Sequence, residues 1–402
     1  MQVTDAVLPL DDLRVLDLTH YYNGPYATML LAYLGAEVIK IESPNSGDGA
    51  RPLYRASGKP FGTPFALMNS NKRAITLNLK APEGCELFKR MVAKADMVVE
   101  NFAAGTMDKL GLGYEILREV NPRLIYASGT GYGLSGPNRD LPAFDPVVQA
   151  NTGVMALTGA MSGPPYKAGP AVVDILGAVH LCAGMLAAIR QRDRTGEGLM
   201  VELSLQESTI PSLTTHMGAY GIGLRQLRDG NRASGSAIVP YNAYPALDGW
   251  VMILAADNER WPRLCRVMGQ PELADAARFA TLALRVKNRD ECDRLIGEWT
   301  RTMTRQQVMA TLSANDIFCG IVKELAEVLA DPHLHQRGAL REIDHPDLGP
   351  LTIFTSPLRF NGEPNTPRSY ARKLGQDNDA FYADEFGLTA GEIASLRGRR
   401  VI

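Results

Sequence analysis

Arg14-Val-Leu-Asp-Leu-Thr-His-Tyr-Tyr-Asn-Gly-Pro-Tyr-Ala-Thr-Met-Leu-Leu-Ala-Tyr-Leu-Gly-Ala-Glu-Val-Ile-Lys-Ile-Glu42 is the stretch that decides the fold. Arg14–Leu18 reads as a buried strand. Tyr21–Pro25 reads as a turn, with Pro25 suited to the first position of a helix. Tyr26–Leu34 then forms that helix and Gly35 stops it. Glu37–Glu42 is the next strand. A strand, a helix and a strand in so short a span make a βαβ unit, which implies parallel strands and a right-handed crossover.

The alternation continues. Ala74–Leu79, Asp96–Glu100 and Arg123–Ser128 read as strands, with a helix over Pro82–Lys94. This is the pattern of an α/β protein with a parallel sheet. Ligands of such sheets bind beyond the carboxyl ends of the strands. The segments Thr19–Gly24, Ser43–Gly49, Asn101–Gly105 and Gly129–Asp145 therefore carry most functional weight. Gly221–Ala237 has little periodicity and reads as a linker or loop. Tyr241–Ala255 reads as two strands joined at Asp248-Gly249, a hairpin dipeptide. Helical patterns follow to about Ala330. Asp331–Ile402 is too poor in apolar residues to build a core alone.

The chain has 402 residues, 45% hydrophobic and 21% charged, an ordinary globular composition. The 42 Lys and Arg nearly balance the 44 Asp and Glu, so no overall basic footprint for nucleic acid exists. Cys85, Cys182, Cys265, Cys292 and Cys319 are scattered and odd in number, with no C-x-x-C. Neither a disulfide framework nor a thiolate metal site is indicated, and a reduced, cytoplasmic setting is expected. The first residues lack the pattern of a secretory signal. Ala171–Ile189 is long enough to span a bilayer, but Asp174 would be costly in lipid. A buried core helix and no membrane partner are expected.

Gly131-Tyr-Gly-Leu-Ser-Gly136 fits G-x-G-x-x-G after a predicted strand. A dinucleotide site needs a helix to open there, and Pro137, Asn138, Asp140 and Pro142 forbid it. A loop whose backbone closely approaches a ligand is the better reading. Lys72 and Arg73, before a predicted strand, are either a solvated entrance or an anion clamp. Asp174 stands at the first turn of a predicted helix. It is either an N-cap or a nucleophile kept ionised by the helix dipole. The histidines form no H-E-x-x-H, and His333-Leu-His335 has no third ligand nearby, so no metal is expected. No G-x-S-x-G elbow occurs.

Taken together, several blocks resemble the class III CoA-transferases, the formyl-CoA transferase and carnitine CoA-transferase family. They include Leu13–Thr19, Gly24–Thr28, Leu34–Glu42, Asn69–Arg73, Ala95–Phe102, Asn121–Tyr126, Gly131–Pro137, Arg194–Gly198 and Asp331–His333. The resemblance implies a large Rossmann-like α/β domain plus a smaller α+β domain. The large domain takes residues 1–220 and 331–402, and the small one 221–330. It implies transfer of coenzyme A from an acyl-CoA to a carboxylic acid. Asp174 falls on the family's catalytic aspartate, which forms a mixed anhydride and then an aspartyl-CoA thioester. CoA contacts fall on Tyr22, Asn23, Leu77, Asn78, Lys80, Asn101, Phe102, Lys109 and Asp145, with Lys72 and Arg73 as further cations. An interlocked homodimer is implied. Gly230–Gly235 resembles the position of a shielding glycine-rich loop.

Two departures from the family pattern stand out. Ser43-Pro44 occupies the place of a common arginine, and Tyr22 and Pro142 replace residues of the oxalate-specific subgroup. The rivals are an α-methylacyl-CoA racemase-like isomerase and a non-catalytic CoA-binding subunit. Racemases of this fold carry a His where Phe144 stands, and racemisation needs an acid/base pair. The resemblance therefore favours the transferase.

Overall fold

The computed structural model describes residues 8–234 and 237–402. Contacts divide them into two compact units. The first takes the described residues up to Val148, then Pro170–Ile210 and Asp331–Ile402; the second takes Gln149–Gly169 and Pro211–Ala330. The sequence reading set the corresponding boundary at residue 220.

The first unit is built on six parallel strands: β1 (Arg14–Asp17), β2 (Glu37–Glu42), β3 (Lys72–Thr76), β4 (Met97–Glu100), β5 (Ile125–Thr130) and β6 (Met200–Ser204). Their order is β3-β2-β1-β4-β5-β6, the doubly wound arrangement. Both faces of the central strands are covered, so apolar side chains go to both sides, beside the buried charges Asp17, Lys40 and Glu42. Neighbours along a strand go to opposite sides. Val15, Val38 and Val99 enter one core with the helices Asn23–Tyr33 and Val172–Thr195. Leu16, Ile39 and Val98 enter the other, with Phe88, Phe381, Tyr382, Ile393 and Leu396. The α/β class with a parallel sheet is thus observed.

Some details differ from the sequence reading. The first helix, α1 (Asn23–Tyr33), starts before Pro25, because Tyr22 is already its cap. β3 begins two residues earlier than expected. β6 was not expected at all: Glu202 interrupts its apolar run, and it is only half-buried at the sheet edge.

The helix Val172–Thr195 is, among the described residues, the one helix long and apolar enough to cross a membrane by length and composition. Val173, Ala178, Leu181, Cys182, Met185 and Ala188 are buried in the first unit's core. Near its end, Arg192 pairs with Asp96 at 2.7 Å.

The second unit holds an antiparallel sheet of β7 (Tyr241–Ala246), β8 (Gly249–Leu254) and β9 (Phe318–Ile321). The expected hairpin forms, but its turn residues are Leu247 and Asp248, and Gly249 already pairs with Ala246. Trp261, Phe279, Ile296 and Leu312 fill its core with Tyr244, Val251 and Ile253. Arg285 is wholly buried there and donates to the carbonyls of Val239, Phe279 and Ala256.

Candidate active site

In a sheet of this order the direction of winding reverses between β1 and β4, and ligands bind beyond the carboxyl ends at that point. A cavity of about 850 Å³ lies there in the first unit. Its walls are the segments after β1 (His20–Asn23), β4 (Asn101–Ala104 and Lys109) and β5 (Gly129–Gly131 and Arg139–Phe144), with Asp174 and Leu205.

Buried charges hold the β1 wall. Lys40 donates to the Thr19 carbonyl at 2.6 Å and pairs with Asp48 at 2.9 Å. Asp48 in turn accepts from the Tyr21 amide at 3.0 Å. That bond helps hold Tyr21 at φ 63°, a left-handed conformation uncommon for a tyrosine. The β1 and β4 walls are tied reciprocally. The His20 amide donates to Asn101 Oδ1 at 2.8 Å, and Asn101 Nδ2 donates to the His20 carbonyl at 2.9 Å. Phe102 is held through its amide by Glu100, 2.8 Å away. Burial pushes Glu100 up to about 6.

Asp174 lies in the first turn of its helix, but the cap is Ala171. The N-cap reading of Asp174 therefore fails. The carboxylate that serves the exposed amides is Asp145, whose Oδ2 accepts from Val173 N at 2.8 Å and Asp174 N at 3.2 Å. This leaves the Asp174 side chain free to face the cavity. The pull of the helix dipole on Asp174 is opposed here. Burial, with the charge of Asp145 beside it, raises Asp174 to about 7. Asn23 Nδ2 donates to the Asp174 carbonyl at 3.1 Å. The Asn23 amide fits because Gly177 and Gly129 flank it: a Cβ at either would come within 2.6 and 2.8 Å of its nitrogen and oxygen. Burial, with Tyr54, Asp174 and Asp48, raises the Tyr22 phenol.

Of the residues named from the sequence, Tyr22, Asn23, Asn101, Phe102, Lys109 and Asp174 line the cavity. Asp145 stands behind it as the cap. Lys72 does not reach it. Its ammonium is buried on Asp17 at 2.9 Å, the Pro25 carbonyl at 2.9 Å and Asn69 Oδ1 at 2.9 Å. Burial lowers it to about 8, against the pull of Asp17. Arg73 pairs with Glu37 at 3.0 Å and lies over the Phe381 ring. The anion-clamp reading of Lys72 and Arg73 is corrected accordingly, since neither head group faces the cavity. Leu77 is buried in the core. Asn78 is bonded to the C-terminal segment through its amide, 2.8 Å from the Val401 carbonyl, and Lys80 is exposed beside it. Gly230 and Ser234 belong to the second unit, and Gly235 lies outside the described residues.

The sequence reading missed His20 and Arg139. His20 was legible only as one of six histidines, and Arg139 only as a charge in an irregular loop. Phe144 also lines the cavity, with its ring edge-on to Tyr21 at 5.6 Å. Among the described residues no group of three or more His, Cys, Asp or Glu could hold a metal ion.

A cavity at the switch point of a doubly wound sheet, with a half-buried carboxylate facing it, is where proteins of this architecture bind their ligands. Residues 10–378 match the family described as CoA-transferase family III, and the chain belongs to that family. It is 37% identical to succinyl-CoA–D-citramalate CoA-transferase of Chloroflexus aurantiacus, over 98% of both chains. It is 39% identical to succinyl-CoA:mesaconate CoA-transferase of Haloarcula hispanica, over 95% of this chain and 97% of the other. A crystal structure of a CaiB/BaiF family protein from Brucella suis superposes with a TM-score of 0.84 at 33% identity, covering 94% of this chain and all of that one. The protein is a class III CoA-transferase.

Proposed function

We propose that this enzyme moves CoA from succinyl-CoA, or a similar acyl-CoA, to a dicarboxylic acid, with Asp174 as the covalent carrier. The single observation behind the mechanism is Asp174 itself. It is a cavity-lining carboxylate, spared from capping by Asp145 and anchored through its carbonyl by Asn23. The names of the relatives support the substrate class.

The chemistry needs such a group. A thiolate does not displace oxide from a free carboxylate. Ionised Asp174 attacks the thioester carbon, the C–S bond breaks, and CoA leaves as a thiolate. The resulting mixed anhydride is attacked by that thiolate at the Asp174 carbonyl. The donor acid departs and an aspartyl-CoA thioester remains. The acceptor carboxylate attacks that thioester, giving a second anhydride and free thiolate. The thiolate then attacks the acceptor carbonyl, which yields the new acyl-CoA and restores Asp174. Each step exchanges one activated acyl bond for another, which is the advantage of covalent catalysis.

Phe144, facing the cavity, supplies no acid or base at the position where racemases of this fold carry a His, which favours the transferase reading. A cytoplasmic setting belongs to the same proposal, supported by five cysteines that are all free thiols.

Incubation with succinyl-CoA and hydroxylamine should leave a hydroxamate on Asp174, detected by peptide mass. Asp174→Ala should lower turnover by on the order of a thousandfold or more, as loss of a nucleophile does. An Asp174→Ala enzyme that still exchanges CoA would sink the mechanism.

A further inference from the structure

A smaller cavity, of about 270 Å³, lies elsewhere in the first unit and shares no lining residue with the one that holds Asp174. Its walls are the irregular segment Pro367–Arg372 with Gln376, and the turn at Pro346-Asp347. The backbone of that segment is pinned at three places. Asn71 Oδ1 accepts from the amides of Arg368 and Ser369 at 2.5 and 2.9 Å. Ala371 is buried with Phe61 and Phe65. The Arg372 carbonyl accepts from Arg51 Nη1 at 3.1 Å, and Arg51 is itself paired with Glu42 at 2.6 Å. The side chains on this wall therefore stand on a fixed frame, as a pre-organised site requires.

The charges of the wall do not balance. Asp347 is the one acid among the lining residues, and Lys373 already holds it at 2.7 Å. Arg368 and Arg372 have no acidic partner among the described residues. Arg368 Nη2 donates to the Ala32 carbonyl at 2.6 Å instead. Partial burial lowers the Arg368 guanidinium from its usual value, and the group that opposes this is the Tyr33 phenol, not a carboxylate. Arg372 Nε is buried and has no hydrogen-bond partner among the described residues. A buried donor on a charged group is costly to leave unpaired. We propose that this cavity is a binding site for a small oxyanion, a carboxylate or a phosphate, held by Arg372 and Arg368. A guanidinium offers parallel N–H groups that match either anion. Ser369, Tyr370 and Gln376 stand on the same walls and carry hydroxyl and amide donors. Gln376 Oε1 accepts from Lys373 N at 2.9 Å, which leaves its amide N–H groups to donate. The volume lies below that of pockets for drug-sized ligands, so it suits an acid of a few carbons or inorganic phosphate. The acid of the transfer reaction and free phosphate are the two sources of this chemistry. The site does not depend on the transferase mechanism.

Calorimetric titration of the full chain with inorganic phosphate, with succinate and with chloride at matched ionic strength tests the assignment. Phosphate or succinate should bind saturably and raise the unfolding temperature by mass action, whereas chloride should do neither. The probe that saturates at the lower concentration identifies the source. Arg372→Gln keeps most of the side chain but removes its charge. It should weaken that probe by about tenfold or more, the usual loss for a charge-assisted bond. Arg368→Gln should weaken it as well, and Arg372→Lys should recover part of the affinity. CoA should bind Arg372→Gln as it binds the wild type, which shows that the variant is folded. Absence of saturable binding by both probes overturns the proposal. So does an Arg372→Gln protein in which every class of phosphate and succinate site keeps its wild-type affinity, because the anion then binds elsewhere.

Discussion

At Asp174 two physical effects oppose each other, and their sizes decide the outcome. A helix N-terminus favours a carboxylate by about 0.3–1 kcal/mol, less than the 1.36 kcal/mol of one pKa unit. Burial can shift an acid by several units. Here the best amides are also already taken by Asp145. Burial and the neighbouring charge therefore prevail, and Asp174 titrates near 7. The proposed nucleophile is the ionised form, so kcat/KM of the free enzyme should rise with pH and level off above about 7. Asp145→Asn keeps an oxygen that can cap the helix but removes the negative charge. Its activity profile should move to lower pH, with less loss at pH 6 than at pH 8 relative to wild type. A profile that stays in place would mean that the Asp145 charge does not act on Asp174.

The strands are where sequence legibility ends and tertiary structure begins. Strands β1, β2, β4 and β5 were readable because both faces are buried and each carries a short apolar run. β6 was not, since an edge strand can carry Glu202 in its middle. Asp174 was found by resemblance, and its surroundings were not legible. The cap from Asp145 spans 28 residues in sequence. Lys72 was misread for the same reason: only the fold shows that β3 places it over Asp17, on the far side of β2. Burial alone would raise Asp17, but Lys72, Lys40, Thr19 and Thr28 hold it well below the usual carboxylate range. Removing one partner of such a pair strands the other charge, which typically costs about 3–5 kcal/mol, whereas replacing both can be close to neutral. Lys72→Met should therefore destabilise the protein by roughly that amount in urea unfolding. Asp17→Asn combined with Lys72→Met should recover much of the loss. CoA affinity of the folded Lys72→Met protein should stay near wild type, because Lys72 does not face the cavity. A large loss of CoA affinity without loss of stability would restore the anion-clamp reading.

On the scale of the molecule, the last stretch of chain completes the first unit. β3 is an edge of the six-stranded sheet, and an open edge presents unpaired amides and carbonyls to other chains. Here residues some 300 positions later cover it. Asp377 accepts from Ala74 N at 2.7 Å, and Asn378 Oδ1 accepts from Thr76 N at 2.9 Å. The Tyr382 hydroxyl donates to the Thr76 carbonyl at 2.7 Å. Phe381, Tyr382, Ile393, Leu396, Val401 and Ile402 then join the core cluster on that side of the sheet. A segment that reads as too poor in apolar residues to fold alone thus contributes six buried side chains to a core laid down by the N-terminal half. Truncation after Gln376 should expose both the strand edge and the apolar surface of that core. The shortened chain should aggregate, as measured by size-exclusion chromatography. A milder change separates the edge from the core. Asn378→Ala leaves every apolar contact of the segment but orphans Thr76 N, so it should cost about 1–3 kcal/mol without aggregation. A monodisperse truncated protein that unfolds cooperatively would show that the parallel sheet is self-sufficient and that the C-terminal segment merely rests on it.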